Sequence, residues 1–256
     1  MRRFHILIFA AVFSSLLIFA LDCAAADAQS DTGVPETISV YGHSVDGRPL
    51  TAVTLGDGNN VTMILGGIHG NEHSAPGLVE DLKSYLEHHT EALDGCTVVL
   101  VPHVNPDGDA AGTRANADGV DLNRNFPVDW MPKRPGIELS PGTEPLSEPE
   151  ASALVSLLKF VKPSKLISVH QPFGCLLPSG PGGETLAHTM SAASGYKVLK
   201  SVGYPTPGSF GSYCYRTCHI AAVTLELPPV SVSKAWAANQ SALLAAIQLP
   251  TSAVAE

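Results

Sequence analysis

Short apolar runs that alternate with helical patterns are the feature that most restricts how this chain can fold. Four runs have the length and composition of buried strands: residues 61–65, 97–101, 165–170 and 223–227. Three segments with helical patterns follow such runs: residues 75–88, a segment from about 147 to 160, and residues 233–247. Because this alternation is typical of parallel strands joined through helices, the sequence predicts an α/β fold with a mixed, largely parallel twisted sheet flanked by helices.

Two segments between these elements have recognisable local signals. Residues 105–143 are rich in Pro, Gly and Asn and are predicted to form a long loop. Ser147-Glu148-Pro149-Glu150 has the spacing of a capping box with a proline in the first turn, which predicts the start of the second helix.

The N-terminal residues have the composition of a targeting segment. Met1-Arg2-Arg3 is basic, residues 4–21 are almost wholly apolar, and small-residue cleavage sites end at Ala26 or Ala28. We therefore predict a signal peptide over residues 1–28, one domain over residues 29–256, and a periplasmic or secreted location. An uncleaved membrane anchor is the alternative, because the apolar run is long for a signal peptide.

Charge and cysteine content restrict the partners and the cross-links. A net charge of −9 in 256 residues argues against nucleic acid or an anionic membrane surface as a partner, and no stable membrane partner is expected after cleavage. Four cysteines remain in the mature chain and allow three complete pairings, none of which is preferred: Cys96, Cys175, Cys214 and Cys218. Their spacing is not that of a Cys₄ zinc site. The oligomeric state stays open.

Residues that can bind a metal or transfer a proton lie at the ends of the predicted strands. His69 and Glu72 follow the first strand, and His170 and Glu226 lie at the ends of the last two. Ligand sites in α/β sheets lie at the carboxyl ends of the strands, so the four side chains are expected to meet. His69, Glu72 and His170 can form a His₂Glu zinc site with one open position. The structural alternatives are a core histidine at 170 and a buried salt bridge at Glu226.

A longer motif lies in the sequence between the His69–Glu72 pair and the later residues His170 and Glu226. It begins with Asn105-Pro106-Asp107-Gly108 and continues over residues 114–127, which end in Asp121-Leu122-Asn123-Arg124-Asn125-Phe126-Pro127. Together with the His-x-x-Glu pair, the distal histidine and the late glutamate, this order resembles the zinc metallocarboxypeptidase family over nearly the whole mature chain. The resemblance implies a carboxypeptidase-like single catalytic domain.

The C-terminal part resembles one subgroup of that family most closely. Residues 201–214 and Glu226-Leu227-Pro228-Pro229 are similar to the murein peptide amidases, which hydrolyse the γ-D-glutamyl–meso-diaminopimelate bond of cell-wall peptides. The resemblance implies a murein peptide as the substrate. The export signal is a departure, because the described enzyme of that subgroup works in the cytoplasm on recycled peptides.

The resemblance also implies roles for single residues. One Zn²⁺ per chain would be held by His69, Glu72 and His170 and would activate a water. Glu226 would serve as general base and then general acid, and Arg114 would face the oxyanion of the intermediate.

Other residues are expected to contact the substrate or to support the zinc ligands. Asn123 and Arg124 would bind a free terminal carboxylate, because arginine offers a planar fork of donors to it. Tyr204 has the spacing of the family's lid tyrosine, with a cleft-wall tyrosine as the alternative. Asp121 is expected to orient a zinc-binding histidine. The pocket for the leaving residue is expected to be lined by Ser209, Phe210 and Gly211.

Three other functions remain open at this point. A zinc carboxypeptidase for ordinary peptides and a zinc-dependent acylase of small N-acyl amino acids would use a similar site. A catalytically silent cell-wall-binding protein is expected to lack a ligand or the general base, and none of these residues is missing from the sequence.

Overall fold

The central sheet positions the residues of the predicted metal site. The computed structural model describes residues 35–133 and 139–255, so the predicted signal peptide and its boundary at residue 28 lie outside the described residues. Within those two ranges, eight strands form one sheet in the order β1-β2-β4-β3-β5-β8-β6-β7. Their bounds are β1 Glu36–His43, β2 Pro49–Leu55, β3 Asn60–Leu65, β4 Cys96–Val101, β5 Lys165–His170, β6 Cys175–Ser179, β7 Lys197–Val198 and β8 Ala221–Glu226.

The sheet is mixed, with a parallel centre. Strands β4, β3, β5 and β8 are neighbours and run parallel to one another. The flanking strands β2 and β6 pair antiparallel with this centre, β2 with β4 and β6 with β8. The predicted α/β fold with a mixed, largely parallel sheet is thereby confirmed.

Helices cover both faces of the sheet. Seven α-helices occur in the described parts of the chain: α1 Ser74–His88, α2 Pro106–Ala111, α3 Pro149–Val161, α4 Gly180–Ser194, α5 Phe210–Arg216, α6 Val232–Gln248 and α7 Thr251–Val254. Residues of α1, α4 and α6 pack with one face into a first hydrophobic core. Residues of α3 and α5 pack with the other face into a second core. Among these helices, none is both long and apolar enough to cross a bilayer.

The predicted strands and helices agree with the structure to within two residues at each end. The capping box was wrong in its detail. Helix α3 begins at Pro149 with Glu148 as its N-cap and without a side-chain cap. The Ser147 hydroxyl instead donates to the Glu148 carboxylate at 2.7 Å and accepts from Asn125 at 3.0 Å. The predicted loop over residues 105–143 also contains the short helix α2 and a 3₁₀ turn, Leu122–Arg124.

The alternation of side chains along the strands directs polar residues to one face. Ile167 and Val169 of β5 enter the first core, whereas Leu166 enters the second. Because successive side chains of a strand point to opposite faces, Ser168 and His170 lie on the second face at the carboxyl end of β5. The same alternation in β8 places Thr224 and Glu226 beside them, in register with Ser168 and His170.

Candidate metal centre and active site

Three buried donors converge where strands β3 and β5 end. The Glu72 carboxylate lies 2.8 Å from His69 Nδ1 and 3.0 Å from His170 Nδ1. The two Nδ1 atoms are themselves 3.2 Å apart. Each of the three residues is at most 7% exposed, and one ligand atom from each lies within 4.8 Å of the others. The predicted ligand residues are therefore brought together as one cluster.

A short turn after β3 positions the first two of these donors. Gly67 has a positive φ of 66°, a conformation that glycine adopts without steric cost. The turn then closes through a hydrogen bond from the Glu72 N–H to the His69 carbonyl at 3.2 Å. The His-x-x-Glu spacing seen in the sequence is thus the spacing of one turn that directs both side chains to the same point.

The outer nitrogens of both histidines are held by other side chains. Asp121 Oδ1 lies 3.1 Å from His69 Nε2. Because an ionised carboxylate can only accept, Nε2 carries a proton, so Nδ1 is the nitrogen of His69 that would coordinate a metal ion. The Ser168 hydroxyl lies 3.0 Å from His170 Nε2 and can accept in the same way. The expected orienting role of Asp121 matches this contact, whereas the contribution of Ser168 was not predicted.

The electrostatics of the cluster favour charged carboxylates. Burial alone would raise the pKa of Glu72, but the charge of His170 and hydrogen bonds with both histidines outweigh burial and hold the pKa well below its usual range. Burial also opposes ionisation of Asp121, and its pKa is still lowered strongly by His69, Arg114 and Arg124. An anionic Glu72 with two imidazole lone pairs is the donor set that suits Zn²⁺. The residues present therefore fit zinc.

Arg114 is fixed beside these ligands by two acidic residues. Its Nε donates to Asp121 Oδ2 at 3.0 Å, and its Nη1 lies 3.4 Å from Glu72 Oε1. The side chain remains 31% exposed and lines the adjoining cavity. Asp121 thus holds both a histidine of the cluster and the arginine next to it.

Asn123 and Arg124 lie on the 3₁₀ turn that follows Asp121. Asn123 accepts a hydrogen bond from the Phe210 N–H at 2.9 Å, so its amide nitrogen remains available to the cavity that it lines. Arg124 donates to the Asn123 carbonyl at 2.8 Å and lines the same cavity. Gly208, with φ of 69°, packs so closely here that a Cβ would lie 2.3 Å from the Arg124 carbonyl oxygen.

Glu226 differs from its neighbours because one of its oxygens is buried without a partner. Among the described side chains, its Oε2 is one of four buried polar atoms that lack a hydrogen bond. Burial raises the pKa of Glu226; the charge of His170 opposes that rise and the charge of Glu72 adds to it. No cation pairs with Glu226 in the described residues, so the salt-bridge alternative receives no support.

All eight predicted site residues border one cavity of about 270 Å³. Tyr204 lies at its mouth, 49% exposed, with its ring centroid 6.5 Å from that of Phe173. Ser209 and Gly211 line the cavity as expected, but Phe210 does not. Its side chain is fully buried and packs on Phe126 with ring centroids 4.9 Å apart. Four further residues line the cavity and were not predicted: Ser179, Lys200, Ser212 and Thr224.

A set of three protein donors that opens onto a cavity distinguishes catalytic zinc sites from structural ones, and this protein is a zinc-dependent hydrolase. Residues 28–172 match the family model described as zinc carboxypeptidase. Murein peptide amidase A of Escherichia coli K12 is 37% identical over 208 residues, which cover 76% of this chain and 83% of that protein. The Vibrio campbellii protein of the same name is 32% identical and covers 83% and 88%.

A solved structure gives the same result for the fold. The crystal structure of murein-tripeptide amidase from Escherichia coli O157 matches with a TM-score of 0.64 and 32% identity, over 82% of this chain and 91% of that one. The chain therefore belongs to the zinc carboxypeptidase family, and its cofactor is zinc.

Proposed function

We propose that this protein hydrolyses the amide bond between the γ-carboxyl of D-glutamate and meso-diaminopimelate in murein peptides. The observation that carries the proposal is the buried, unpaired Glu226 oxygen beside the His69, Glu72 and His170 cluster. A general base needs a lone pair that nothing else occupies, and burial moves its pKa towards the working pH. The similarity to proteins named murein peptide amidase A supports the choice of bond.

The metal site and the acid–base residue divide the reaction between them. His69, Glu72 and His170 would hold the zinc ion, which supplies Lewis-acid chemistry by polarising the scissile carbonyl and acidifying water. Glu226 accepts a proton from the attacking water as the new C–O bond forms. Glu226 then donates that proton to the nitrogen of the leaving residue as the C–N bond breaks. Water is consumed, and a free carboxylate and a free amine result.

Three other side chains orient the substrate and stabilise charge. Arg114, held by Asp121, presents its remaining donors to the oxygen that becomes negative in the tetrahedral intermediate. Arg124 and the free amide nitrogen of Asn123 bind the terminal carboxylate of the leaving residue. Tyr204, exposed at the mouth of the cavity, covers the bound substrate. This grip on a terminal carboxylate favours release of one end residue.

We also propose export of the protein, with a signal peptide over residues 1–28 and action in the periplasm or outside the cell. The basic start, the apolar run and the cleavage sites at Ala26 or Ala28 support this location. A protein at that location would meet murein peptides of the wall itself. Analysis of the N-terminus of the exported protein tests the boundary; a mature chain that still starts at Met1 contradicts it.

The bond is tested by a comparison of two substrates with the zinc-loaded mature protein. We expect release of meso-diaminopimelate from L-Ala-γ-D-Glu-meso-diaminopimelate, with L-Ala-D-Glu as the other product. An ordinary α-linked tripeptide that ends in phenylalanine serves as the matched substrate and should be cleaved far more slowly. Rapid cleavage of the α-linked peptide with none of the γ-linked one would establish an ordinary carboxypeptidase instead.

A further inference from the structure

One wall of the cavity carries free hydroxyl groups around a glycine. A Cβ added to Gly211 would lie 3.4 Å from Ser179 Oγ and 3.7 Å from Thr224 Oγ1. The hydroxyls of Ser179 and Thr224 have no hydrogen-bond partner among the described residues, and both residues border the cavity. The space in front of Gly211 therefore presents two hydroxyl groups that can each donate and accept.

Thr224 connects this wall to the reacting centre. It precedes Glu226 by two residues in strand β8, so both side chains lie on the same face of the sheet. On the antiparallel neighbour β6, Ser179 pairs with Ala222 in the register. The hydroxyl wall is thus the continuation of the strand that carries Glu226.

The charges that border the cavity are unevenly distributed. Two carboxylates line it, Glu72 and Glu226, and Glu72 is already shared by two histidines and an arginine. Three cations line it, Arg114, Arg124 and Lys200. Arg114 is paired with Asp121, whereas Lys200 makes no ion pair within residues 35–133 and 139–255. An unpaired cation at the cavity of an acidic protein is available for an anionic group of a ligand.

We propose that Lys200, Ser179 and Thr224 form the specificity site for a leaving residue whose side chain ends in both a carboxylate and an ammonium group. This inference rests on the proposed function and assigns the distal end of the diaminopimelate side chain. Lys200 binds the distal carboxylate, and the two hydroxyls accept hydrogen bonds from the distal ammonium. Gly211 leaves the space in which this end of the side chain lies.

Other leaving residues would make fewer favourable contacts with Lys200 and the two hydroxyl groups. A terminal lysine brings an ammonium group towards Lys200 without an anion, and like charges repel. A terminal leucine leaves the Ser179 and Thr224 hydroxyls and the Lys200 ammonium without partners in the closed complex. Both differences act when the leaving residue binds, so they should appear in KM more than in kcat.

The test compares two tripeptides with the full-length mature protein loaded with zinc. The first is L-Ala-γ-D-Glu-meso-diaminopimelate, and the second has its distal carboxylate converted to an amide. We expect wild type to prefer the free acid by about tenfold in kcat/KM, the size of a partly exposed charge-assisted contact. Lys200→Met should lower kcat/KM for the free acid to that of the amide and leave the amide rate unchanged.

Two further variants test whether Lys200 recognises the distal carboxylate or affects activity towards all substrates. Lys197→Met removes an exposed lysine three residues earlier, on strand β7, and should keep the full preference. Lys200→Glu should improve release of lysine from the tripeptide that ends in L-lysine, because the charge at the wall is reversed. Equal loss on both diaminopimelate substrates, or an unchanged preference in Lys200→Met, would overturn the specificity site. Failure of wild type to cleave either tripeptide would instead overturn the proposed function, and the specificity site with it.

Discussion

Strand β5 buries a polar side chain at each of its ends, and the surrounding structure satisfies the two differently. Lys165 opens the strand and is fully buried. Its ammonium donates to the carbonyl oxygens of Ala246 and Ile247, each at 2.8 Å, and to that of Leu249. The three carbonyls end helix α6, where the helix dipole favours a cation. Every donor of the buried amine is therefore used within the protein.

The carboxyl end of the same strand lies beside a polar atom that is not satisfied. His170 Nδ1 lies 3.2 Å from His69 Nδ1 and 3.0 Å from the Glu72 carboxylate. Glu226, its neighbour on β8, keeps one oxygen without any partner. A buried group that serves only stability is expected to be fully hydrogen-bonded. The contrast teaches that the buried lysine at one end of β5 is satisfied by backbone carbonyls, whereas the other end combines a cluster of metal-competent side chains with an unpaired carboxylate oxygen.

The largest effect is expected at the unsatisfied end, in Glu226→Gln. The amide retains the size of the side chain but cannot take or deliver the proton, so kcat should fall by about a thousandfold. Zinc content and thermal stability should stay at the wild-type level, because Glu226 is not one of the three ligand residues. Steady-state kinetics and metal analysis on one preparation measure both. Glu184→Gln, on the exposed side of α4, is the control. A near-normal rate in Glu226→Gln would show that Glu226 is not the general base.

The next effect concerns the arginine beside the cluster. Arg114→Met should lower kcat by about a hundredfold or more, because one donor to the developing oxyanion is lost. Arg216→Met provides the comparison, since Arg216 forms an exposed ion pair with Asp129, and exposed pairs contribute little to stability. Burst and steady-state rates with the γ-linked tripeptide give the values. A loss confined to KM would show that Arg114 binds the ground state and the transition state equally.

At the satisfied end, a substitution should change stability and spare catalysis. Lys165→Met leaves three carbonyl oxygens of α6 without their buried donor, so the free energy of unfolding should fall by about 2–4 kcal/mol. Denaturant titration gives this value, and kcat with the γ-linked tripeptide should remain that of wild type. A strong loss of activity in the folded variant would contradict the division between the two ends of β5.

The smallest effect is a dependence of stability on pH. Burial lowers the pKa of Lys165 to about 8, below the value of about 10.4 for an unfolded lysine. Between these values the unfolded chain binds more protons than the folded one, so the free energy of unfolding rises with pH. From pH 7 to pH 9 the advantage of wild type over Lys165→Met should widen by about 1 kcal/mol. An advantage that stays constant or shrinks would show that Lys165 keeps an ordinary pKa.

The sequence predicts the centre of this fold better than its edges. Strands β3, β4, β5 and β8 are predominantly apolar, because helices cover both faces of the sheet there. Strand β1 alternates between exposed and half-buried positions, and β6 contains a proline, so neither shows that pattern. Helix α4 begins Gly-Pro-Gly-Gly, a composition typical of a loop; packing against β8 and α6 stabilises it there.

The residues of the candidate site also differ in how well the sequence predicts them. His69, Glu72, His170 and Glu226 are predictable because the ends of parallel strands meet at one edge, where the structure brings them together. Ser168 and Thr224 follow from the two-residue alternation once the strands are known. Ser179 reaches the cavity from the end of β6, and Lys200 reaches it from the segment after β7. No pattern in the sequence locates either element. Phe210 was placed wrongly because a motif does not show whether an aromatic ring faces a cavity or the core.

The most direct measurement is the release of meso-diaminopimelate from the γ-linked tripeptide before zinc removal, after it and after zinc is restored. The proposed function predicts one zinc per chain, loss of release when a chelator removes the metal, and recovery when zinc is returned. The Lys165→Met variant should behave in the same way, because its substitution lies at the other end of the strand. Release that continues at the wild-type rate after the metal has gone would contradict the assignment of the His69, Glu72 and His170 cluster as the catalytic zinc site.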